Sequence, residues 1–376
     1  MAIIGVQTCT ETAFEGRCDM ALRVACELAL EPGEAFEVLN EELTAALART
    51  GMRLEGVAGG RLTAAGADGA EIEVGKVLAW EPGRRVTLRW RPTDWDASAV
   101  TEMLLTLEPR PGGCRAEIGH RGFDAVIDDD VELAGWFAGE VAAPLLFRSA
   151  PARFGDGLTD RRARRPSGAQ ARRTYRAPLH HYPNFGVILQ ELDLRPEDRL
   201  LEVGCGGGAF LKEALRSGCR ASAIDHSETM VALAREENAA AVADGRLDVL
   251  QASANTLPFE DGAFSCAVMT GVLGFLPDPV AALRELRRVL ADGGRVVVFG
   301  SDPALRGTEA APEPLASRVR FYTDAELARL GHLAAFADAR VLRRELAPHA
   351  RAAGLPEDMV TAFAGSAAPF LVAHKG

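Results

Sequence analysis

Residues 200–211 read Leu-Leu-Glu-Val-Gly-Cys-Gly-Gly-Gly-Ala-Phe-Leu, and this stretch decides the fold of the second half of the chain. Leu200, Leu201 and Val203 predict a buried strand, and the residues from Ala209 onward predict the start of a helix. The glycines between them predict a tight turn. The N–H groups of a helix's first turn have no partner within the helix, so this combination indicates a ligand site.

Strands and helices alternate after this stretch, with helices such as 227–238 and 280–290 between the strands. Regular alternation of this kind predicts an α/β fold with a doubly wound, mostly parallel sheet. The predicted strands are 200–204, 220–224, 247–251, 264–269, 295–300 and 369–374.

The glycine turn by itself fits two classes of cofactor, dinucleotides and S-adenosylmethionine. Gly204, Gly206 and Ala209 match the dinucleotide fingerprint. Asp225 ends the next predicted strand, where its carboxylate can accept hydrogen bonds from both ribose hydroxyls. The features that favour S-adenosylmethionine are Glu202 before the turn, Gly208 within it, the Leu257-Pro258-Phe259 sequence and the Asp292-Gly293-Gly294 turn.

With these motifs in this order, residues 177–376 closely resemble the class I S-adenosylmethionine-dependent methyltransferases, in the small-molecule branch that includes the ubiquinone-biosynthesis type. The resemblance implies that the glycines let the backbone approach the cofactor and that Asp225 holds the ribose. It also implies that His226 and Met230 flank the adenine and that Thr270 lies near the methionine part. The implied cofactor-binding residues, with Ser253 and Ala254 along the adenine edge, are Glu202, Gly204, Cys205, Gly206, Gly208, Asp225, His226, Met230, Ser253, Ala254 and Thr270.

Three places depart from the usual pattern of this family. Ser253 stands where relatives usually carry an acidic residue, so the contact to the adenine amino group is expected to be weaker or to come from backbone. Ser265 stands where an aspartate is usual before the fourth strand. Gly274 and Phe275 replace a polar pair, which removes a common candidate base and makes the acceptor side more apolar.

The candidate catalytic residues lie just before the second domain's first helix. Methyl transfer from a sulfonium is an in-line displacement that needs alignment, exclusion of water and, for some acceptors, removal of a proton. His181 or His180 is the candidate general base, and Tyr182 is a candidate lid, because this cap segment is expected to lie over the cofactor's methyl group. The alternative is that all three residues only pack within a loop.

The first 150 residues predict a different kind of domain. A strand at 20–30 and a helix at 35–47 are followed by extended runs that end at Pro/Gly turns, which predicts antiparallel hairpins. Residues 131–148 predict a helix that Pro144 kinks or ends early.

Two stretches in this part, 76–90 and 107–115, resemble the START/SRPBCC superfamily, in its branch related to heat-shock co-chaperone activators. The resemblance implies an α+β helix-grip domain, in which a sheet wraps a long helix around an apolar cavity. The tryptophans either line that cavity or belong to the core, and they are Trp80, Trp90, Trp95 and Trp136.

At 376 residues the chain is long enough for two domains. Residues 151–176 carry eight arginines against two acidic residues, contain Pro, Gly and Ser, and lack apolar periodicity, so they predict a solvated linker. The predicted boundaries are therefore a helix-grip domain at 1–150, a linker at 151–176 and a methyltransferase domain at 177–376.

Composition argues against several other classes of protein. The net charge of −11 argues against a nucleic-acid partner, because phosphate contacts need a basic face. No apolar run reaches the ~20 residues of a membrane-spanning helix, and the first ten residues lack the features of a signal peptide. Seven scattered cysteines without CxxC spacing predict reduced thiols in a cytoplasmic protein and no metal site.

The sequence thus predicts a two-domain enzyme, a START/SRPBCC-like helix-grip domain followed by a Rossmann-like class I methyltransferase. The expected acceptor is a small apolar or aromatic molecule, which the first domain binds or gates. The alternative is a ligand-sensing binding protein whose second domain holds the cofactor without turnover. The sequence indicates neither the methylated atom nor the oligomeric state.

Overall fold

The structure, a computed structural model, describes residues 7–9, 21–49, 51–65, 70–90, 101–122, 137–308, 310–365 and 367–376. The chain divides into two compact units, Met1–Leu158 and Thr159–Gly376. Trp95, Trp136 and the beginning of the predicted helix at 131–148 lie outside the described residues.

The first unit is built on an eight-stranded antiparallel sheet. Its strands are β1 (Gln7–Cys9), β2 (Ala21–Leu28), β3 (Met52–Leu54), β4 (Arg61–Ala65), β5 (Glu71–Glu81), β6 (Arg85–Trp90), β7 (Thr101–Arg110) and β8 (Gly113–Arg121). They lie in the order β1-β2-β8-β7-β6-β5-β4-β3, so the predicted hairpins are present. Among these described strands, only the β2–β8 pair joins strands distant in sequence. The helical elements are Pro32–Arg49, the π-helical Phe137–Ala142, Ala143–Phe147 and Pro151–Thr159.

One face of this sheet is buried against the helices. On β2, Leu22 and Val24 are buried while Arg23 between them is exposed, as the two-residue period of a strand requires. Leu39 of helix Pro32–Arg49 packs in the same core. Burial of each such side chain contributes about 1.5–3 kcal/mol. Pro144 lies in the first turn of Ala143–Phe147, directly after the π-helical Phe137–Ala142, so the hydrogen-bonding pattern of the helical run changes next to the proline instead of ending there.

The two described tryptophans pack against this core. Trp80 meets Phe36 edge-on with ring centroids 5.7 Å apart. Trp90 stacks on His120 at 5.5 Å and donates its Nε1–H to the Met52 sulfur at 3.3 Å. Burial lowers the pKa of His120 to about 3, so this imidazole is neutral. Both tryptophans therefore pack against the core, as the second of the two interpretations predicts.

The second unit contains a seven-stranded sheet. Its strands are β9 (Arg199–Val203), β10 (Arg220–Asp225), β11 (Leu247–Gln251), β12 (Phe264–Met269), β13 (Leu290–Phe299), β14 (Arg340–Glu345) and β15 (Ala367–His374). They lie in the order β11-β10-β9-β12-β13-β15-β14, with β9 to β13 parallel and β15 antiparallel to both neighbours. The order of strands reverses between β9 and β12, and in such sheets the crevice at the carboxyl ends of the strands binds ligands.

Helices and short helical turns cover this sheet, as the alternation of elements predicts. Strand β14 is absent from the predicted set because its arginines, half of its six residues, weaken the apolar pattern at a sheet edge. The helices are Gly168–Arg176, Tyr182–Leu192, Ala209–Ala214, Glu228–Glu237, Ala239–Ala243, Pro279–Val289, Leu315–Arg318, Asp324–Leu333, Ala347–Ala352 and Glu357–Ala362, with shorter helical turns at Asp160–Arg164, Leu179–His181, Leu215–Ser217, Leu273–Phe275 and Pro303–Leu305.

The Arg-rich stretch, predicted to be a solvated linker, folds onto the second unit, and we call residues 160–176 the basic segment. Two of its arginines pair with acidic residues of helix Glu228–Glu237: Arg172 with Glu236 at 2.5 Å and Arg176 with Glu237 at 2.7 Å. Ala171 is buried against Met230 and Leu233 of the same helix. The prediction of a solvated linker is therefore corrected, because the partners of this segment lie on a helix that is distant in sequence.

Candidate functional site

A cavity of about 610 Å³ opens at the carboxyl ends of β9, β10 and β12, where the reversal of strand order places a ligand crevice. Cavities of small-molecule sites have volumes of about 300–1,000 Å³. The basic segment forms part of its wall through Arg162, Pro166 and Tyr175. The residues predicted to bind cofactor or substrate that line it are His180, His181, Gly204, Gly206, Asp225, His226, Ser253, Ala254 and Thr270.

Close packing around the glycine turn explains why residues without a side chain stand there. Gly204 has φ +78°, and a Cβ on it would come within 2.1 Å of Val272 Cγ2. A Cβ on Gly206 would lie 3.0 Å from the Tyr175 ring, and one on Gly207 would lie 2.3 Å from the Tyr175 carbonyl oxygen. The turn is therefore held between β12's following loop and the basic segment.

Asp225 at the end of β10 is oriented by two backbone groups. Its Oδ2 accepts the Gly206 N–H at 2.9 Å, and its Oδ1 accepts the Ser227 N–H at 2.8 Å. Burial raises the pKa of Asp225, although these N–H groups act against that rise. A carboxylate oxygen has two lone pairs, so each oxygen keeps one for a further donor such as a ribose hydroxyl.

Glu202, near the end of β9, is buried next to this aspartate. Its Oε2 is buried and no described residue supplies a hydrogen-bond partner for it. Burial raises the pKa of Glu202 well above its usual range, and the Asp225 carboxylate raises it further. A buried acceptor without a partner is costly, so the site suits a ligand that brings a positively charged donor.

The residues present therefore fit S-adenosylmethionine. The Thr270 hydroxyl at the cavity wall is also buried without a partner among the described residues. With Glu202 it offers polar contacts that suit an amino-acid ammonium group, and the free lone pairs of the Asp225 carboxylate suit ribose hydroxyls. Among the described residues, no group of three side chains could hold a metal ion.

Five of the predicted residues do not line the cavity. The expected roles of four of them are corrected, whereas Glu202 remains a candidate partner for an ammonium group because its buried Oε2 has no partner among the described residues. Met230 is fully buried against Ala171 and so does not flank the adenine. A Cβ on Gly208 would lie 2.5 Å from Asn238 Nδ2, so this glycine allows two helices to pack rather than a ligand to approach. Cys205 is buried with its thiol pKa raised well above the usual value by burial. The other two are Glu202, buried behind the wall, and Tyr182.

Apolar residues form a large part of the cavity wall. Phe275 lies there, and Gly274 beside it is required because a Cβ would come within 2.6 Å of both the Arg320 carbonyl oxygen and Val319 Cγ1. A side chain at position 274 therefore has no room in this chain, so the first residue of the expected polar pair cannot stand there. The apolar lining residues are Val272, Phe275, Leu276, Phe299, Leu305, Leu315, Val319 and Phe321.

The two histidines of the cap segment reach this cavity together. Their ring centroids are 4.3 Å apart, and His181 stacks on Phe185 at 6.3 Å. His181 Nδ1 is buried without a partner among the described residues. Burial lowers the pKa of His181 to about 4, with His180 adding to the effect, and burial lowers the pKa of His180 as well. Tyr182 instead packs edge-on against Phe185 at 5.5 Å, outside the cavity, which corrects the lid prediction.

Tyr175 is the main site residue that sequence reasoning missed. It lines the cavity, its hydroxyl donates to the Arg162 carbonyl oxygen at 3.3 Å, and burial raises its pKa to about 12, with Asp225 adding to the effect. The available signal was the four-residue spacing of Ala171 and Tyr175, which places both on one helix face. The arginines between them obscured that pattern.

Family comparisons agree with this geometry. Residues 201–298 match the family model described as a methyltransferase domain, and residues 30–138 match the model described as activator of Hsp90 ATPase homolog 1-like protein. The second unit therefore contains a methyltransferase domain of Rossmann-like fold, and the first contains a domain of the START/SRPBCC-like class. The predictions of both domains, and of S-adenosylmethionine as the cofactor class, are confirmed. None of the described helices is both long and apolar enough to span a membrane.

Similar curated proteins match a limited part of the chain. The "Uncharacterized 37.1 kDa protein in transposon TN4556" of Streptomyces fradiae is 42% identical over 121 residues, which are 31% of this chain and 34% of that protein. A demethylmenaquinone methyltransferase of Staphylococcus aureus is 32% identical over 122 residues, which are 31% of this chain and 49% of that enzyme. The chain thus spans at most about half the length of these relatives.

Solved structures with a similar fold cover about half of the chain. The [4+2]-cyclase SpnF has 21% identity and a TM-score of 0.41 over 51% of this chain and 80% of that chain. A geranyl diphosphate C-methyltransferase from Streptomyces coelicolor A3(2), solved with Mg²⁺, geranyl diphosphate and S-adenosyl-L-homocysteine, has 17% identity and a TM-score of 0.42 over 51% of this chain and 77% of that chain.

Proposed function

We propose that the second unit transfers a methyl group from S-adenosylmethionine to a small apolar or aromatic acceptor. One observation carries this proposal: a single cavity is lined both by Gly204, Asp225 and Thr270 and by the aromatic rings of Phe275 and Phe321. The cofactor, when bound, supplies a methyl group on a positively charged sulfur. The chain's residues bind and align the two molecules.

The polar side chains at the cavity suit the cofactor because they leave hydrogen-bond acceptors free for it. Asp225 is held by two backbone N–H groups and retains one lone pair on each oxygen for the ribose. Glu202 Oε2 and Thr270 Oγ1 are buried acceptors that a bound ammonium group would satisfy. Charge-assisted hydrogen bonds of this kind are about twice as strong as neutral ones.

The apolar part of the lining suits an apolar or aromatic acceptor. Val272, Phe299 and Phe321 belong to this part, and the charged lining side chains include Arg162 and Asp225. Apolar side chains around an acceptor exclude water from the reacting atoms. Alignment in a dry pocket can account for a large part of the rate of such a displacement.

We further propose that His181 accepts a hydrogen bond from the acceptor's reacting group. Its Nδ1 is buried without a partner among the described residues, and a pKa of about 4 keeps the imidazole neutral at pH 7. A base of that pKa removes a proton from a phenol only weakly, because efficient bases have a pKa near the working pH. The role that fits His181 is therefore to orient the acceptor. The ring of His180 lies beside it and is exposed to solvent.

The first unit is proposed to bind or gate the acceptor, as its START/SRPBCC-like class suggests. A comparison of the full-length protein with residues 159–376 tests this. The shorter protein begins at 159 because the boundary between the units lies after Leu158, and because it must keep the basic segment, which lines the cavity. The shorter protein must first show a cooperative melt. Unchanged acceptor kinetics would then exclude gating, whereas a raised KM or lost turnover would support it.

The decisive experiment measures turnover by the full-length protein. It is incubated with methyl-labelled S-adenosylmethionine and a panel of quinols and phenols, which includes demethylmenaquinol because one matched relative carries that name. We expect S-adenosylhomocysteine and a labelled product with at least one neutral aromatic acceptor. Cofactor binding without turnover on any member would favour the binding-protein alternative, and absence of cofactor binding would overturn the proposal altogether.

A further inference from the structure

The loop between β11 and β12 forms the cavity wall where the nucleobase is expected, and it offers mainly small groups. Ala252, Ser253, Ala254 and Asn255 line the cavity there. The Ser253 hydroxyl already accepts the Asn255 N–H at 3.3 Å, and the Ser253 carbonyl accepts the Thr256 N–H at 3.2 Å. No carboxylate stands within residues 252–255, so a base at this wall meets backbone groups and the Asn255 amide.

Such short-range recognition depends on where the loop backbone lies. A carboxylate on a flexible side chain can follow a base by rotating, whereas a backbone N–H or C=O moves only with its loop. A misplacement of about 1 Å can cost a large factor in binding or rate. Something outside the cavity must therefore hold this loop in position.

Two side chains of helix Pro279–Val289 hold the loop immediately after its lining residues. Glu285 Oε2 accepts the Leu257 N–H at 3.0 Å, and Arg288 Nη2 donates to the Leu257 carbonyl oxygen at 3.0 Å. Arg288 Nη1 also donates to the Phe259 carbonyl oxygen and to Asp261 Oδ1, both at 2.8 Å. Both the backbone N–H and the backbone carbonyl of Leu257 are thus hydrogen-bonded to this helix.

The two clamping residues also fix each other. Arg288 donates from Nε to Glu285 Oε1 and from Nη2 to Glu285 Oε2, both at 2.9 Å, in a two-bonded pair. Their side chains are 31% and 23% exposed, so water screens the pair only partly. Two parallel hydrogen bonds restrict the guanidinium to one orientation, which a single ion pair does not.

We propose that Glu285 and Arg288 are positioning residues for nucleobase recognition, and that the backbone of residues 253–255 rather than an acidic side chain reads the adenine. The inference rests on the proposed cofactor. Neither residue lines the cavity, so their effect on the ligand passes through the loop that they hold.

The experiment measures nucleobase selectivity in the full-length protein. Calorimetry compares S-adenosylhomocysteine with S-inosylhomocysteine, which carries an oxygen in place of the adenine amino group. We expect the wild-type protein to prefer the adenosyl ligand by at least ~10-fold, because a site built for a donor rejects an analogue that lacks it. Arg288→Met should reduce that ratio to below ~3-fold and lower the affinity for S-adenosylhomocysteine.

The matched control is Arg287→Met on the same helix. Arg287 donates to the Ala335 carbonyl oxygen at 2.7 Å, so it anchors a different loop by the same kind of bond. This variant should keep the selectivity ratio, and it should lose less stability than Arg288→Met because it removes a single contact of this kind rather than a network of hydrogen bonds. Glu285→Gln, which retains an acceptor for the Leu257 N–H, should fall between Arg288→Met and wild type, and it serves as the test if Arg288→Met does not fold.

Each outcome decides a separate question. A wild-type protein that binds neither ligand overturns the proposed function. One that binds both equally leaves the proposed function standing but overturns this inference, and so does an unchanged ratio in a folded Arg288→Met or Glu285→Gln variant. A ratio that falls in these variants but not in Arg287→Met supports the inference.

Discussion

The carboxylate of Asp225 accepts a hydrogen bond from the Gly206 N–H at 2.9 Å, which ties the end of β10 to the glycine turn after β9. The Ser227 N–H holds the other oxygen at 2.8 Å, and the Ser227 hydroxyl in turn donates to the Pro166 carbonyl oxygen at 2.5 Å. A chain of hydrogen bonds thus runs from the basic segment through Asp225 to the glycine turn. The part of the cavity expected to hold the ribose is therefore set by three regions that are distant in sequence.

Replacing Asp225 by alanine should greatly weaken cofactor binding. The change removes two potential hydrogen bonds to the ribose and releases the glycine turn, and bonds to a charged group are worth about 1.5–3 kcal/mol each. We expect the dissociation constant of S-adenosylhomocysteine to rise at least ~100-fold, as measured by calorimetry. Asp248→Ala on the exposed side of β11 is the control and should bind normally. Tight binding by Asp225→Ala would show that the site lies elsewhere.

Gly204→Ala should disrupt the turn through a specific clash. The added Cβ would meet Val272 Cγ2 at 2.1 Å, and φ +78° is strained for any residue with a Cβ at a cost of about 1–2 kcal/mol. Gly245 has φ +65°, and no atom lies within 4 Å of the place of an added Cβ. Gly245→Ala should therefore lose stability only through backbone strain, which makes it the matched control.

The clash in Gly204→Ala can be relieved from the other side. Adding Val272→Ala removes the methyl group in the way, so the double variant should regain part of the melting temperature that Gly204→Ala loses relative to Gly245→Ala. Thermal unfolding of the single and double variants measures this coupling. Additive losses would mean that the backbone conformation alone, and not the contact with Val272, requires glycine.

Glu202→Gln should separate stability from cofactor binding. Burial raises the pKa of Glu202, so the stability that this group contributes is fully present below its unfolded pKa and is lost as the pH rises through the folded value. The ligand-free Gln variant should therefore match wild type near pH 4 and melt higher than wild type at pH 8. Its affinity for S-adenosylhomocysteine should fall at least ~10-fold, because the charge facing the ammonium group is gone.

Glu260→Gln, an exposed change on the loop before β12, is the control for the Glu202 variant and should leave both properties unchanged. Melting curves at several pH values and calorimetry at pH 8 give the two readouts. A Glu202→Gln protein that melts lower than wild type at pH 8 would show that the buried carboxylate has a partner in solution.

The sequence predicts those parts of the site that depend on local spacing. Gly204, Gly206 and Asp225 follow strands whose register is read from apolar residues, and parallel strands bring their carboxyl ends together. Met230 was misassigned because position on a helix does not say which neighbour docks on it. That neighbour is the basic segment, whose place depends on arginines pairing with Glu236.

The acceptor end is the part that sequence patterns describe least. Gly274 departs from the family pattern, but only the structure shows that the Val319 side chain and the Arg320 carbonyl oxygen occupy the space of a side chain there. Tyr182, directly next to the cavity-lining His181, turns toward the core because helix Tyr182–Leu192 begins at that residue. Contacts between elements, rather than the order of residues, decide both cases.

His181→Asn and His181→Phe should distinguish orientation from proton removal. Asparagine retains a hydrogen-bonding group of similar reach, so if His181 only orients the acceptor, His181→Asn should keep more of kcat than His181→Phe. With the pKa of His181 at about 4, turnover by wild type should not depend on this group between pH 5 and 8. A pH profile with a limb near 6.5 that disappears in His181→Asn would instead identify His181 as a general base.

Asp198 should stabilise the second unit at neutral pH and contribute progressively less to its free energy of unfolding as the pH falls. Burial would raise the pKa of Asp198, but hydrogen bonds from Arg295 at 2.6 and 3.1 Å and from Ser265 at 2.7 Å outweigh burial and lower it to about 2. Its stability of about 2 kcal/mol is therefore present above the unfolded pKa and lost as the pH falls through about 2. Asp198→Asn should cost at least that much at pH 7 and progressively less toward pH 2, in denaturant unfolding of the full chain. Asp193→Asn, whose partner Arg195 is a surface residue, should cost under ~1 kcal/mol, and equal effects of the two changes would contradict the role given to Asp198.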